Sequence, residues 1–133
     1  MATPRIITIQ SDLDIVAARM AARDMAKTMG FGAIDQARIA TTISELARNI
    51  YLYADEGTVT ISEATAGIRR GIQVICADQG PGIEDVSLVM QDGYTTSKGM
   101  GMGLPGAKRL MDDFEVVSIV GKGTVITCRK WKR

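Results

Sequence analysis

Glu45 and Asn49 stand four residues apart in Glu45-Leu-Ala-Arg-Asn49. On a helix that spacing projects both side chains from one side. A carboxylate so placed can take the proton of an attacking hydroxyl. An amide oxygen suits Mg²⁺, which prefers hard oxygen ligands and few protein contacts. The same pattern also occurs on solvated helix faces. Asp78 opens Asp78-Gln-Gly-Pro-Gly82 after an apolar run. A carboxylate at a strand end can meet the amino group of adenine, and Gly80 and Gly82 let a flat base approach the backbone. The bland reading of this stretch is a turn. Gly99-Met-Gly101-Met-Gly103-Leu104-Pro-Gly106 opens a helix. Free N–H groups at a helix N-terminus attract phosphate, and Lys98 adds a positive charge beside them. The alternative is a plain loop entering a helix. Gly121-Lys-Gly123-Thr124 reads as a hairpin.

Several chemistries are excluded. The chain has no histidine, so Ser-His-Asp and Cys-His catalysis, His-ligated zinc and phosphohistidine chemistry are absent. The G-x-G-x-x-G at Gly101–Gly106 follows a polar loop, where a dinucleotide fingerprint needs a strand inside a βαβ unit. No G-x-x-x-x-G-K-[ST] is present, and H-R-D cannot be written without histidine. Cys76 and Cys128 lie far apart in apolar runs and are expected to be buried free thiols. A net charge of +1 implies no broad attraction to nucleic acid or anionic membrane. Nothing approaches a membrane-spanning apolar run, and the N-terminus is unlike a signal sequence, so a cytoplasmic protein is expected.

These residues need elements to hold them. The 133 residues, 46% hydrophobic and 23% charged, suit one compact domain over 1–133. Residues 4–9 read as a strand. Ser11 and Asp14 form a capping-box pair for a first helix, whose expected apolar stripe is Leu13, Val16, Ala17, Met20 and Ala21. A second helix is expected over 35–54, with Ile39, Ile43, Leu46 and Ile50 as its buried face. Strands are expected over 58–62 and 72–77, joined through 67–71, then a short helix over 84–91 and a mobile loop over 92–103. A helix over 104–111 and two strands, 114–120 and 124–131, complete the chain. This order predicts an α+β, two-layer sandwich: a mixed sheet with helices on one face.

Taken together and in this order, the four stretches resemble the GHKL ATPases, the group of gyrase-type topoisomerases, heat-shock chaperones and histidine kinases. The boxes match as Glu45/Asn49, Asp78/Gly80/Gly82, Gly99/Gly101/Gly103 and Gly121/Gly123/Thr124. SELARNIYLYA, DQGPGI and GMGLPGAKRLMD, with the chain length, are similar to the stressosome switch serine/threonine kinases. The resemblance covers essentially the whole chain. It implies the Bergerat fold, ATP and Mg²⁺ as cofactors, Asn49 as the Mg²⁺ ligand, and Glu45 as the base or the group orienting the acceptor hydroxyl. Asp78 would bind the adenine amino group, Gly82 and Thr124 would help the base edge, and Gly101, Gly103 and Leu104 would cradle phosphates. It also implies partners: STAS-domain antagonist or scaffold proteins of a stressosome, and a PP2C-type phosphatase. Related anti-sigma-factor kinases carry Asn-Ala-x-x-His in the first box, where this chain has Asn49-Ile-Tyr-Leu-Tyr53. That departure weighs against direct sigma-factor binding. A nucleotide-gated binding module with little catalysis is the other reading.

Overall fold

The computed structural model describes residues 3–54, 56–91 and 103–133. Its elements are β1 (Arg5–Ile9), α1 (Asp12–Thr28), α2 (Ala33–Tyr53), β2 (Gly57–Ala66), β3 (Arg69–Asp78), α3 (Val86–Val89), α4 (Gly103–Leu110), β4 (Asp113–Ile119) and β5 (Gly123–Trp131). The expected elements are all present. The principal boundary change is that β2 and β3 run on to a tight turn at Gly67-Ile68, with Gly67 at φ 63°. The expected loop over 92–103 falls almost wholly outside the described residues.

The five strands form one sheet in the order β1-β2-β3-β5-β4. Every pairing is antiparallel, which corrects the mixed sheet expected from the order of elements. The reason is topological. β3 and β4 run in the same direction, but β5 returns between them and pairs with both. No parallel neighbours therefore meet.

Alternation along the strands puts Ile9, Val59, Ile61, Ile72, Val74, Cys76, Ile126 and Cys128 in one core against the helices. The opposite face carries exposed residues such as Ile6, Val117 and Val125. This is the two-layer arrangement with helices on one side.

Helix α1 begins as its sequence requires. The N–H groups of Gln10 and Ser11 donate to Asp14 Oδ2 at 2.9 and 3.0 Å. The bond from Gln10 leads in holding the Asp14 carboxyl below its ordinary value. Its buried face differs from the expected one. Ile15, Ala18, Ala21, Ala22, Met25 and Ala26 are buried, whereas Leu13, Val16, Ala17 and Met20 face solvent. Two apolar stripes were available on this helix. The alanine-rich one wins because small side chains allow closer approach to α2 and the sheet.

Helix α2 carries the expected buried stripe of Ile39, Ile43, Leu46 and Ile50, none more than 2% exposed. That stripe fixes the rotation of the helix, and so decides where Glu45 and Asn49 point. Lys130, a buried cation on β5, ties the lower ends of the helices together. Its Nζ donates to the Leu110 carbonyl at 3.0 Å and lies 3.6 Å from Asp112 and 3.8 Å from Asp35.

Candidate nucleotide site

A cleft of about 360 Å³ opens between α2, the C-terminal end of β3 and the start of α4. This is the size range of small-molecule sites. One wall is apolar, formed by Leu46, Ile50 and Ile126. Polar groups converge from the rest: Asn49 from α2, Asp78 from β3 and Thr124 from β5. Gly82, Gly103 and Leu104 also line it, so six of the expected site residues meet in one place.

Asp78 ends β3 directly opposite Thr124 in the β3–β5 register. Its Oδ1 accepts the N–H of Gly80 at 2.9 Å. Gly80 is not itself among the lining residues, but a Cβ there would sit 2.7 Å from the Cβ of Ala54, which is. Asp78 lines the cleft, and among the described residues its Oδ2 accepts no hydrogen bond. A strand-end carboxylate oriented by its own turn fits the amino group of a purine.

Two glycines make the approach possible. Gly82 has φ 79°, and a Cβ there would sit 2.5 Å from the Ile119 carbonyl oxygen. Gly123 has φ 133°, and a Cβ there would fall on the carbonyl oxygen of Asp78. Any side chain at Gly123 would therefore push Asp78 away from β5.

Ser118 was not singled out in the sequence. Its Oγ accepts the N–H of Ile83 at 2.7 Å, donates to the Gly123 carbonyl at 3.2 Å and shares a 2.8 Å hydrogen bond with Thr124 Oγ1. One hydroxyl thus joins the turn after Asp78 to the β4–β5 hairpin. Its only signal is its place opposite Thr124, and that pairing is visible only once the register is known. Tyr53, Ala54, Ile83 and Val89 are further lining residues that motif reasoning passed over as contacts. Cys76 also lines the cleft. Burial, with Cys128 and Asp78 nearby, pushes its thiol well up, and burial pushes Cys128 up to about 12. Both are free thiols, as expected, and neither is a nucleophile at neutral pH.

Glu45 is not on the cleft surface. It is 4% exposed and is held at both oxygens. Oε1 accepts the N–H of Gly103, the first residue of α4, at 2.9 Å. Oε2 accepts from Arg48 Nη1 at 3.2 Å. The N–H of Gly103 therefore points to Glu45 in this arrangement rather than into the cleft. On its far side Glu45 lines a second groove, between α1 and α2, with Arg19, Arg23 and Arg48. The carboxylate stands in the wall between the two depressions. Lys98, Gly99 and Gly101 lie outside the described residues.

The residues fit a magnesium nucleotide. Among the described residues no cluster of three or more Asp, Glu, Cys or His side chains could hold a metal alone. One amide oxygen, from Asn49, is the donor set expected when phosphates supply the remaining ligands. Also among the described residues, no helix is long and apolar enough to cross a membrane.

Comparison with known proteins agrees with this geometry. Residues 9–130 match the histidine kinase-like ATPase domain. The chain is 54% identical over 127 residues to the serine/threonine-protein kinase RsbT of Bacillus subtilis, covering 96% of each. It is 37% identical over 101 residues to the anti-sigma F factor of a Thermoanaerobacter species, covering 71% of this chain and 69% of that one. Among solved structures, the RsbU and RsbW domains of a Mycobacterium tuberculosis protein superpose with a TM-score of 0.70 at 17% identity, covering 99% of this chain and 33% of that one. The mycobacterial sensor histidine kinase MprB superposes at 0.59 with 14% identity, covering 100% and 99%. These two likenesses show the fold, and the RsbT match shows the branch. The chain belongs to the histidine kinase-like ATPase family and, within it, to the RsbT-type protein serine/threonine kinases.

Proposed function

We propose that this kinase transfers the γ-phosphoryl group of Mg·ATP to a serine or threonine of a STAS-domain stressosome partner, and that it then binds and activates a PP2C-type phosphatase in a sigma-factor stress cascade. The observation that carries this reading is the 54% identity to RsbT over 96% of both chains. The geometry supports it in detail. Asp78 and Thr124 would receive the adenine, and Asn49 would hold Mg²⁺ at the opposite side of the cleft. Gly99, Gly101 and Lys98 would meet the phosphates together with Leu104, while the Gly103 N–H stays on Glu45. The metal would neutralise phosphate charge as the γ-phosphoryl group departs.

Glu45 would serve the acceptor. Each carboxylate oxygen holds two lone pairs, so Oε2 can accept a hydroxyl proton while keeping Arg48. The acceptor oxygen bonds to the γ-phosphorus, the bond from that phosphorus to the β,γ-bridging oxygen breaks, ADP leaves, and the acceptor proton passes to Glu45 and on to water. Glu45 is bonded to Gly103, which lines the cleft, so a carboxylate stands close to where the phosphates would lie. The chain would act in the cytoplasm.

A second reading is supported by the anti-sigma F factor relatives: direct capture of a sigma factor. Tyr53, which lines the cleft, weighs against it, because it stands where the family resemblance implies a histidine in anti-sigma-factor kinases. Incubation with Mg·ATP and a recombinant STAS-domain protein, followed by phosphopeptide mapping, tests the main reading. A phosphoserine or phosphothreonine is expected. An unmodified STAS protein together with a stable sigma-factor complex on gel filtration would favour the second.

A further inference from the structure

We infer that Arg48 is a positioning residue for phosphoryl transfer, acting through Glu45; the inference rests on the reading of Glu45 as the group that receives the acceptor proton. Three observations converge on it. Glu45 is almost wholly buried, and a buried carboxylate needs partners that balance its charge. One partner is the Gly103 N–H, at the end of α4 that closes the cleft. The other is Arg48, three residues along α2, whose Nη1 sits 3.2 Å from Oε2.

The second partner is the informative one. Arg48 is 35% exposed, so its guanidinium reaches from the buried carboxylate to the surface of the α1–α2 groove. Among the described residues, cleft and groove share no lining residue. The Gly103–Glu45–Arg48 chain of hydrogen bonds links a residue of the cleft to a residue of the groove. Arg48 fixes the direction of the Oε2 lone pairs. Without it, the carboxylate is free to turn towards α4, where Gly103 already holds Oε1, and out of line with the acceptor hydroxyl. A guanidinium keeps this role better than an ammonium because its fork is planar and rigid, yet an ammonium keeps the charge. Arg48 therefore governs the chemical step, leaving nucleotide affinity to the cleft.

The test compares wild type with Arg48→Met, which keeps the packed stem, Arg48→Lys, which keeps the charge, and Glu45→Gln. Transfer from Mg·ATP to a recombinant STAS-domain acceptor is measured for kcat and acceptor KM, with ATP affinity by calorimetry and Tm alongside. The expected result for Arg48→Met is a fall in kcat of about tenfold to a hundredfold, the scale of a misplaced proton acceptor. ATP affinity and acceptor KM stay within about twofold, Tm falls because the buried carboxylate loses a charge partner, and Arg48→Lys recovers most of the rate. Unchanged kcat overturns the inference. So does a rise confined to acceptor KM, which makes Arg48 a docking contact, or a parallel loss of ATP affinity, which makes it part of the cleft. Full transfer by Glu45→Gln overturns the reading of Glu45 itself and is seen separately in the same assay.

Discussion

Substituting Asp78 by asparagine separates two jobs of one carboxylate, the observed bond to its own turn and the proposed contact with the base. Oδ1 accepts the Gly80 N–H at 2.9 Å and shapes the turn, while Oδ2, which accepts no hydrogen bond among the described residues, would receive the base. The amide oxygen of asparagine can keep the first bond. Its NH₂ group then occupies the place of Oδ2, so a donor faces the adenine amino group, which is also a donor. The turn survives and base recognition is lost. A hydrogen bond to a charged acceptor is worth about 1.5–3 kcal/mol. The dissociation constant for ATP should therefore rise by about tenfold to 150-fold, with Tm close to wild type. Inosine triphosphate sharpens the test, since it carries an acceptor where ATP carries the amino group. Wild type should prefer ATP, and Asp78→Asn should reduce or reverse that preference. Calorimetry with both nucleotides measures it directly. Wild-type ATP affinity in a folded Asp78→Asn variant would refute the assignment of Asp78 to the base. A loss equal for both nucleotides would show that the substitution had damaged the turn instead.

Three further outcomes follow from the packing. Lys130→Met keeps the aliphatic stem but leaves the Leu110 carbonyl and the carboxylates of Asp35 and Asp112 without their shared cation, so chemical denaturation should show a loss of about 2–4 kcal/mol. Thr42 is fully buried, and its Oγ1 has no hydrogen-bond partner among the described residues; Thr42→Val should be neutral or raise stability by up to about 1 kcal/mol in the same experiment. Burial acts to raise the Asp112 carboxyl, but the Trp131 N–H, Lys130 and Arg133 outweigh it and hold it below its ordinary value. The native state then binds fewer protons than the unfolded chain, so this contribution is complete above about pH 4 and is lost as pH falls through the lowered value. Asp112→Asn should flatten the acid limb of a stability-versus-pH curve below about pH 4, whereas an unchanged limb would assign the acid sensitivity elsewhere.

The parts of the site that are local in sequence were legible before the structure. Asp78-Gln-Gly-Pro-Gly82 carries its own turn chemistry, and Glu45 and Asn49 share a helix whose apolar stripe sets their rotation. What was not legible depends on distant pairings. The bond from the Gly103 N–H to Glu45 joins residues 58 apart, and no local pattern announces it. Glu45 consequently turns out to be buried and doubly bonded where spacing alone suggested a polar face. Ser118 gains its role only from the β4–β5 register. The all-antiparallel sheet follows from β5 inserting between β3 and β4, which element order does not specify. The α1 face was misjudged for a physical reason. Leu13, Val16 and Met20 carry more apolar surface than the alanines opposite, but close helix packing favours the smaller side chains.

The most direct test of phosphoryl transfer is intact-mass spectrometry of a recombinant STAS-domain acceptor after incubation with Mg·ATP and either wild-type kinase or Glu45→Gln. Wild type should add a phosphoryl group to a serine or threonine, and Glu45→Gln should bind ATP yet leave the acceptor unmodified. An acceptor unmodified by wild type, or modified equally by both, would contradict a transfer reaction run through Glu45 at the wall of this cleft.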